Sequence, residues 1–322
     1  MALVLVTGAT GRIGSALVRA LLARKDNVRA IVRPGSAHKL PEGVEKFEFD
    51  LSSGALPRPA FEGVHKVVHL AGLVGSQPYN ELVRHNAFAT KNLLANCPSY
   101  AHRVILASSI SVYGEYKGKT VDESFAPKGE SDYGKSKLLA ESFARTYCES
   151  LHIVFLRFGM VYGPGFEEGY YPVLSYLKRG KMLVLGDGAN RLPLLHIDDA
   201  VHAILLAMDS KVEPCREYNI VGAEKPTQNE LLAMAAKELG VMPPKKHLPV
   251  LLAKTAAKTQ SFFSKGSFSA ENIRQMSLDR AYSAERARAE LGFEAKVKLA
   301  DGLKEVVAIY LGGGARGAKS RP

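Results

Sequence analysis

Two residues four apart carry the first chemical signal. Tyr133-Gly-Lys-Ser-Lys137 places a phenol and an amine at helical spacing, and the residues that follow it read as a good helix. A phenol unaided ionises near pH 10. An ammonium beside it favours the phenolate, so the pair reads as a general acid/base near neutrality. The chain has 13 tyrosines, and a second copy of the spacing, Tyr113 with Lys117, occurs between Gly114 and Gly118. In that loop-like setting a spacing of four need not align side chains. Tyr133 and Lys137 are therefore taken as the pair, with Tyr113 expected to line the pocket. Ser108 and Ser109 directly follow the apolar run Val104 to Leu106. Ser109, at that strand's end, is placed to hold a substrate hydroxyl or carbonyl beside Tyr133.

A second signal lies at the N-terminus. Thr7-Gly8-Ala9-Thr10-Gly11-Arg12-Ile13-Gly14 follows the run Leu3 to Val6 and opens a helical pattern. Gly8 suits a tight turn, Gly11 lets backbone approach a pyrophosphate, and Gly14 lets the helix pack on the strand. The helix N-terminus supplies N–H groups and a positive dipole end for phosphates. The strand–loop–helix setting makes this a dinucleotide site. The second strand ends at Arg33, with Ser36, His38 and Lys39 close by. A cation there suits the 2′-phosphate of NADP, where NAD-preferring folds place a carboxylate, so NADP is favoured over NAD. Asp50 follows the third run and is expected at the adenine edge.

These residues need a scaffold. Apolar runs at Leu3–Val6, Val28–Val32, Phe47–Phe49, Val67–Leu70, Val104–Leu106, Ile153–Leu156 and Tyr218–Val221 alternate with helical stretches at Arg12–Ala23, Glu81–Ala95 and Gly134–Ser150. Runs apolar throughout suit parallel strands covered on both faces, and the alternation predicts an α/β, doubly wound parallel-sheet Rossmann fold. From about residue 161 loops at Gly163-Pro-Gly165, Gly186-Asp-Gly188 and Met242-Pro-Pro244 separate further helical pieces. We expect a Rossmann domain over 1–160 and about 190–222. A smaller, mainly helical C-terminal substrate-binding cap is expected over about 161–189 and 223–311, and a mobile tail over 312–322.

Composition excludes several classes. The 322 residues are 46% hydrophobic and 23% charged, ordinary for a soluble globular chain. No run reaches the roughly 18 apolar residues that span a bilayer, and the first residues read as a strand rather than a signal peptide. A cytoplasmic protein is expected. The net charge is +11, and from Val241 onward 15 Lys and Arg face seven acidic residues. Because acidic residues interrupt them, a solvated basic face is expected, with no nucleic-acid partner. Leu251 to Phe263 reads as a cap helix packed on the protein, so membrane-surface contact is not favoured. Cys97, Cys148 and Cys215 stand far apart, so neither a disulfide framework nor a zinc knuckle is expected, and no metal site is predicted.

In order along the chain, the glycine loop, His69-Leu-Ala-Gly72, Asn86, Ser108-Ser109 to Tyr113-Gly114, Tyr133/Lys137, Arg157-Phe-Gly-Met-Val-Tyr-Gly-Pro-Gly165 and His196-Ile-Asp-Asp-Ala200 form a set. The set resembles the extended short-chain dehydrogenase/reductases, the group of NAD-dependent epimerase/dehydratases and 3β-hydroxysteroid dehydrogenases. The resemblance implies that Tyr133 exchanges a proton with the substrate, Lys137 bonds the nicotinamide ribose, and Ser109 orients the reacting oxygen. It implies cofactor contacts from Gly8, Thr10, Gly11, Arg12, Ile13, Arg33, Asp50, Leu51, Leu70, Ala71, Gly72, Asn86, Ser108, Phe158, Gly159 and Val161. It places Phe166, Tyr170, Asn190 and Arg191 among substrate contacts, and implies a homodimer. His196 and Asp198 are read as structural, with Asp198 or Asp199 capping a helix.

Two enzymatic outcomes remain open. One is hydride transfer between nicotinamide and a secondary alcohol or ketone of a bulky, sterol- or dihydroflavonol-like substrate. The other is nucleotide-sugar epimerisation or dehydration with retained NAD. Many sugar-nucleotide enzymes carry Asn where this chain has Gly159, which favours the first, as does Arg33. A non-catalytic NAD(P)-sensing protein on the same fold would be expected to lose Ser109, Tyr133 and Lys137, all of which are present.

Overall fold

The apolar runs become strands, buried on both faces in the centre of the sheet, while the run near Phe47 forms a mostly exposed edge strand. In the computed structural model, which describes residues 2–54, 56–75, 77–253, 273 and 276–313, seven of them form one sheet. They are β1 (Leu3–Thr7), β2 (Asn27–Val32), β3 (Val44–Glu48), β4 (Lys66–His69), β5 (Arg103–Ser109), β6 (Ile153–Phe158) and β7 (Arg216–Ile220). Their order across the sheet is β7-β6-β5-β4-β1-β2-β3, and every pairing is parallel. The Rossmann architecture expected from the sequence is thus present. The chain reverses its direction of winding between β1 and β4, which opens a crevice at the strand C-termini.

Helix α1 (Arg12–Ala23) buries Leu17, Val18 and Leu21 against one face, where Val4, Val6, Ile105 and Leu156 meet them. Each such side chain, fully removed from water, contributes about 2 kcal/mol. On the other face, α2 (Tyr79–Leu82), the π-helix Val83–Phe88 and α3 (Ala89–Asn96) run in sequence, followed by α4 (Asp132–Arg145). The stretch predicted as one helix from Glu81 therefore contains a widened turn, and Asn86 sits in it. Ser131 caps α4 by accepting from the Gly134 amide, which fixes where the Tyr133 helix begins.

Helices α5 (Glu167–Lys178), α6 (Ile197–Asp209), α7 (Gln228–Glu238), α8 (Glu285–Leu291) and α9 (Leu299–Gly313) follow. α6 packs on the sheet, whereas α5, α7 and α9 share a separate apolar cluster around Leu174, Leu177, Leu232 and Val307. Two expectations change here. Helix α6 is capped by His196, whose Nδ1 accepts from the Asp198 amide. Asp199 instead accepts from the Lys296 and Val297 amides, pinning the chain that leads into α9. Gly312 and Gly313, expected in the tail, are instead the last residues of α9; residues 314–322 lie outside the described residues. Of the Leu251–Phe263 stretch, residues 251–253 are helical and the remainder lies outside the described residues.

The cysteines also depart from expectation. Cys148 and Cys215 form a disulfide with Cα atoms 5.7 Å apart, across 67 residues of sequence. The Cys215 amide donates to the Ile153 carbonyl, so the entry to β7 runs beside the end of α4 where Cys148 lies. Sheet topology makes that neighbourhood, which linear spacing conceals. Among the described residues no helix is long and apolar enough to cross a membrane.

Candidate active site

The glycine loop joins β1 to α1 and forms one wall of the crevice. Gly8 holds φ +69°, and a Cβ there would lie 2.6 Å from the Ala71 amide nitrogen. A Cβ on Gly14 would stand 2.1 Å from the Gly8 carbonyl oxygen. The loop and helix thus close on each other only because these side chains are missing. α1 starts with no side-chain cap and no acidic residue in its first turn. Its N-terminal N–H groups and dipole are left for an anion, as a dinucleotide pyrophosphate would require.

Gly8, Thr10, Gly11, Arg33, Asp50, Leu51, Leu70, Ala71 and Gly72 all line this cleft, as the sequence predicts for the cofactor. Ser36 and Lys39 stand on the same wall as Arg33, while Glu48, the nearest carboxylate on β3, is turned to the Gly35 and Ala37 amides. The end of the cleft beside β2 therefore carries the side chains of Arg33 and Lys39. Asp50 accepts from the Ser52 amide and hydroxyl, which fixes its orientation on the wall. Leu73, His85 and Ala89 also line the cleft and were missed. Leu73 comes from the loop after β4, His85 from the π-helical stretch, a feature with no simple sequence signature, and Ala89 from the start of α3. Ile13 is partly buried against the core behind the loop. Arg12 points outward, paired with Glu168 at 2.7 Å and stacked over the Phe166 ring. The residues present fit a nicotinamide dinucleotide.

Behind the loop lies a buried polar relay that the sequence reading did not single out. Thr90 gives its proton to the Asn86 carbonyl (2.5 Å) and so accepts from His69 Nε2 (2.9 Å). In the neutral ring Nδ1 then accepts from the Thr7 hydroxyl (2.6 Å), which itself accepts from the Ala71 amide (3.3 Å). The partners assign the neutral tautomer. Burial, with the Lys137 charge adding to it, holds His69 down to about 3. The Asn86 side chain accepts from the Leu73 amide and donates to the Leu73 carbonyl and Ser136 hydroxyl. Asn86 is thus a clamp for the loop after β4, joining it to α4.

The catalytic candidates meet at the ends of β5 and α4. Ser109 ends β5 and is buried; Tyr133, half-buried in the first turn of α4, hydrogen-bonds with its hydroxyl. Lys137, one turn further and buried, donates to the Ala107 carbonyl at 2.5 Å. Here the electrostatics depart from the simple pairing argument. Burial pushes Tyr133 up to about 12, opposed by the Ser109 hydrogen bond, and pulls Lys137 down to about 8, opposed by Glu141. The amine is turned to a carbonyl of β5, so it is not the ordinary ammonium assumed from spacing.

Several expected contacts are absent from the pocket wall. Tyr113 is fully buried; its hydroxyl accepts from Arg157 and donates to Asn219, so it supports the core and does not line the cleft. Ser108 donates to Glu141 at 2.5 Å, which takes its hydroxyl away from the cofactor side. Asn190 donates to the Met276 carbonyl and accepts from Gln228, and Arg191 makes a bidentate pair with Asp279. Both tie loops together. Tyr170 sits among the apolar residues of α5, α7 and α9. Phe158 is buried at the end of β6, the Gly159 amide donates to the Ile220 carbonyl, and Val161 packs on the core. Among the described residues no group of His, Cys, Asp and Glu is arranged to hold a metal.

Residues 4–221 match the NAD dependent epimerase/dehydratase family. The uncharacterized UDP-glucose epimerase YtcB of Bacillus subtilis (strain 168) is 31% identical, over 69% of this chain and 77% of its own. The 2-alkyl-3-oxoalkanoate reductase of Stenotrophomonas maltophilia (strain K279a) is 27% identical, over 95% of this chain and 98% of its own. Among solved structures, MoeE5 in complex with UDP-glucuronic acid and NAD superposes with a TM-score of 0.75 at 29% identity, covering 94% of this chain and 96% of that one.

Proposed function

The chain belongs to the NAD-dependent epimerase/dehydratase family of short-chain dehydrogenase/reductases and is an enzyme, and from that premise we propose that it is an NADP-preferring reductase or dehydrogenase. Its reaction interconverts a ketone and a secondary alcohol on a bulky substrate. The observation that carries this reading is the meeting of Ser109, Tyr133 and Lys137 beside a dinucleotide cleft whose adenosine end bears Arg33, Ser36 and Lys39. The bound nicotinamide supplies the hydride chemistry. Ser109 orients the substrate oxygen, Tyr133 delivers or removes its proton, and Lys137 holds the ribose hydroxyls beside that phenol. The described residues of about 161–189 and 223–311 form the substrate-side cap. A second copy docks on the helical stretch from Glu81 and on α4, where Phe88, 45% exposed at the end of the π-helix, stacks on Phe143.

The near full-length match to a reductase supports this reading, as does Gly159 in place of the amide side chain common in sugar-nucleotide enzymes. The likeness to MoeE5 supports a second reading, a nucleotide-sugar epimerase that retains NAD through each turnover. Chromatography and mass analysis of nucleotide released from the freshly purified, denatured protein separates the two. Protein free of nucleotide that then oxidises NADPH with branched 3-oxo acids or bulky ketones is expected; NAD at one per chain overturns the reductase reading. With the substrate in hand, Tyr133→Phe should lower kcat ~100- to 10,000-fold while leaving dinucleotide affinity in place. Full activity in that variant removes Tyr133 from the chemistry.

A further inference from the structure

α4 carries one more charged group inside the protein. Glu141 lies one turn beyond Lys137 and is 1% exposed. Its carboxylate accepts from Arg157 Nε at 2.9 Å and Nη2 at 2.7 Å, and from the Ser108 hydroxyl at 2.5 Å. Arg157, 2% exposed on β6, also donates to the Tyr113 hydroxyl at 2.7 Å. Three elements thus converge on one carboxylate, and its position is over-determined. A buried ion pair of this kind is a poor source of net stability, because desolvation offsets most of the attraction. Glu141 shares the buried face of α4 with Lys137, one turn away, and Ser108, which donates to it, adjoins the Ala107 carbonyl that Lys137 holds.

Other groups near Lys137 do little to keep it charged. Tyr133 on the same helix is a neutral phenol, His69 on β4 is a neutral imidazole, and β5 presents only the Ala107 carbonyl and the hydroxyls of Ser108 and Ser109. The clamp residues Asn86 and Ser136 are uncharged amide and hydroxyl groups. Arg157 on β6 and Arg145 further along α4 are cations, each held against Glu141. Arg145 is shared with Glu217 on β7. Burial works against the ammonium, and among these groups Glu141 is the anion that restores it.

We propose that Glu141 is a positioning residue for the reaction, a fixed buried anion that keeps Lys137 protonated and aimed along the Tyr133 face of α4. This inference rests on the reading of Tyr133 and Lys137 given above. Without the anion, Lys137 loses its proton at lower pH and its hold on a ribose hydroxyl weakens in the neutral range.

The test follows the amine itself in the ligand-free protein. Lysine Cε resonances are recorded by carbon-13 NMR across pH 6–10.5, with Lys137 assigned by its loss in Lys137→Arg. NADPH affinity is titrated over the same range by fluorescence. Glu141→Gln, which keeps the side-chain shape, should move the Lys137 midpoint to lower pH by about one unit or more, the usual effect of a close opposite charge. The alkaline fall in NADPH affinity should move with it. Because Glu141→Gln leaves Arg157 buried without its anion, the double variant Glu141→Met with Arg157→Met is measured alongside. Replacing a buried pair with apolar side chains preserves folding in comparable cases, and it should shift the midpoint in the same direction but by less, because the Arg157 cation is removed with the anion. A Lys137 midpoint unmoved in the folded variants overturns the proposal and leaves the dinucleotide site standing. NADPH binding in the parent protein that is indifferent both to pH and to Lys137→Met overturns the reading of the site, and the proposal with it.

Discussion

Acidification should remove stability through His69, and the size of the effect follows from its surroundings. The ring is 2% exposed and held neutral between the Thr7 and Thr90 hydroxyls. Burial, with Lys137 nearby, keeps it from protonating until about pH 3. In the unfolded chain an imidazole titrates near pH 6.5. Between those two values the unfolded chain binds a proton that the native state does not, so stability falls as pH falls. The contribution is whole above about pH 6.5 and is lost progressively toward pH 3. From pH 7.5 to 4.5 the loss through this one group comes to about 2.7 kcal/mol, two pH units of the window at about 1.4 kcal/mol each. Urea unfolding followed by circular dichroism at both pH values, on the parent protein and on His69→Gln, measures it. Burial also lowers His152 and His202, so the quantity that counts is the difference between the two proteins. The variant should start about 1–3 kcal/mol less stable at pH 7.5, because Thr7 and Thr90 lose their shared partner. Its further loss on acidification should then be smaller than the parent's by about 2.7 kcal/mol. Equal losses in the two proteins would refute the reasoning.

Two further outcomes are expected. Arg33→Glu should weaken NADPH binding by roughly 10- to 100-fold, the worth of a charge-assisted contact to a phosphate, and leave NADH binding unchanged or tighter. Isothermal titration with both nucleotides checks this, and parallel losses for the two would remove Arg33 from cofactor selection. Peptide mapping without reductant should find Cys148 joined to Cys215 with Cys97 free. Because the bond closes a long loop across 67 residues, Cys148→Ser should cost about 4 kcal/mol in the oxidised protein. No loss relative to the parent, with three free thiols in the map, would set the bond aside.

Much of this arrangement is legible in the sequence because it rests on local rules. The run Leu3–Val6 followed by the glycine loop can hardly be read otherwise, since Gly8 and Gly14 fill positions where any side chain strikes backbone. The Tyr133–Lys137 spacing became informative only with the helix that Ser131 caps. What escaped the reading is long-range. Tyr113 carries the right chemistry for a pocket, but Arg157 and Asn219 come from strands 44 and 106 residues away to claim its hydroxyl. Arg191 looks like a free anion receptor until Asp279 arrives from 88 residues on. Glu141 and Arg157 left a faint signal, single charges placed among residues that are otherwise buried. A charge in an apolar strand such as Ile153–Phe158 must find a partner inside, and pairing it with a carboxylate on the neighbouring helix was within reach of that argument.

The two buried polar systems explain why the site needs more than its reacting groups. One runs from Thr7 through His69 and Thr90 to Asn86, tying the phosphate loop to the helices on the far side of β4. The other runs from Ser108 and Glu141 through Arg157 and Tyr113 to Asn219, tying α4 to β5, β6 and β7. The first also reaches α4, the helix that carries Glu141 of the second, because the Asn86 amide donates to Ser136 and Ser136 donates to the Tyr133 carbonyl. Hydride transfer requires reacting atoms held within a fraction of an ångström of one geometry. Apolar packing alone lets neighbouring elements slide among similar arrangements, whereas a hydrogen bond with fixed direction does not. On the proposed reading, the polar interior sets the register between the wall that would hold the dinucleotide and the helix that carries Tyr133. On this account a substitution that breaks the Asn86–Ser136 link should impair the coupling of cofactor binding to proton transfer more than either part alone.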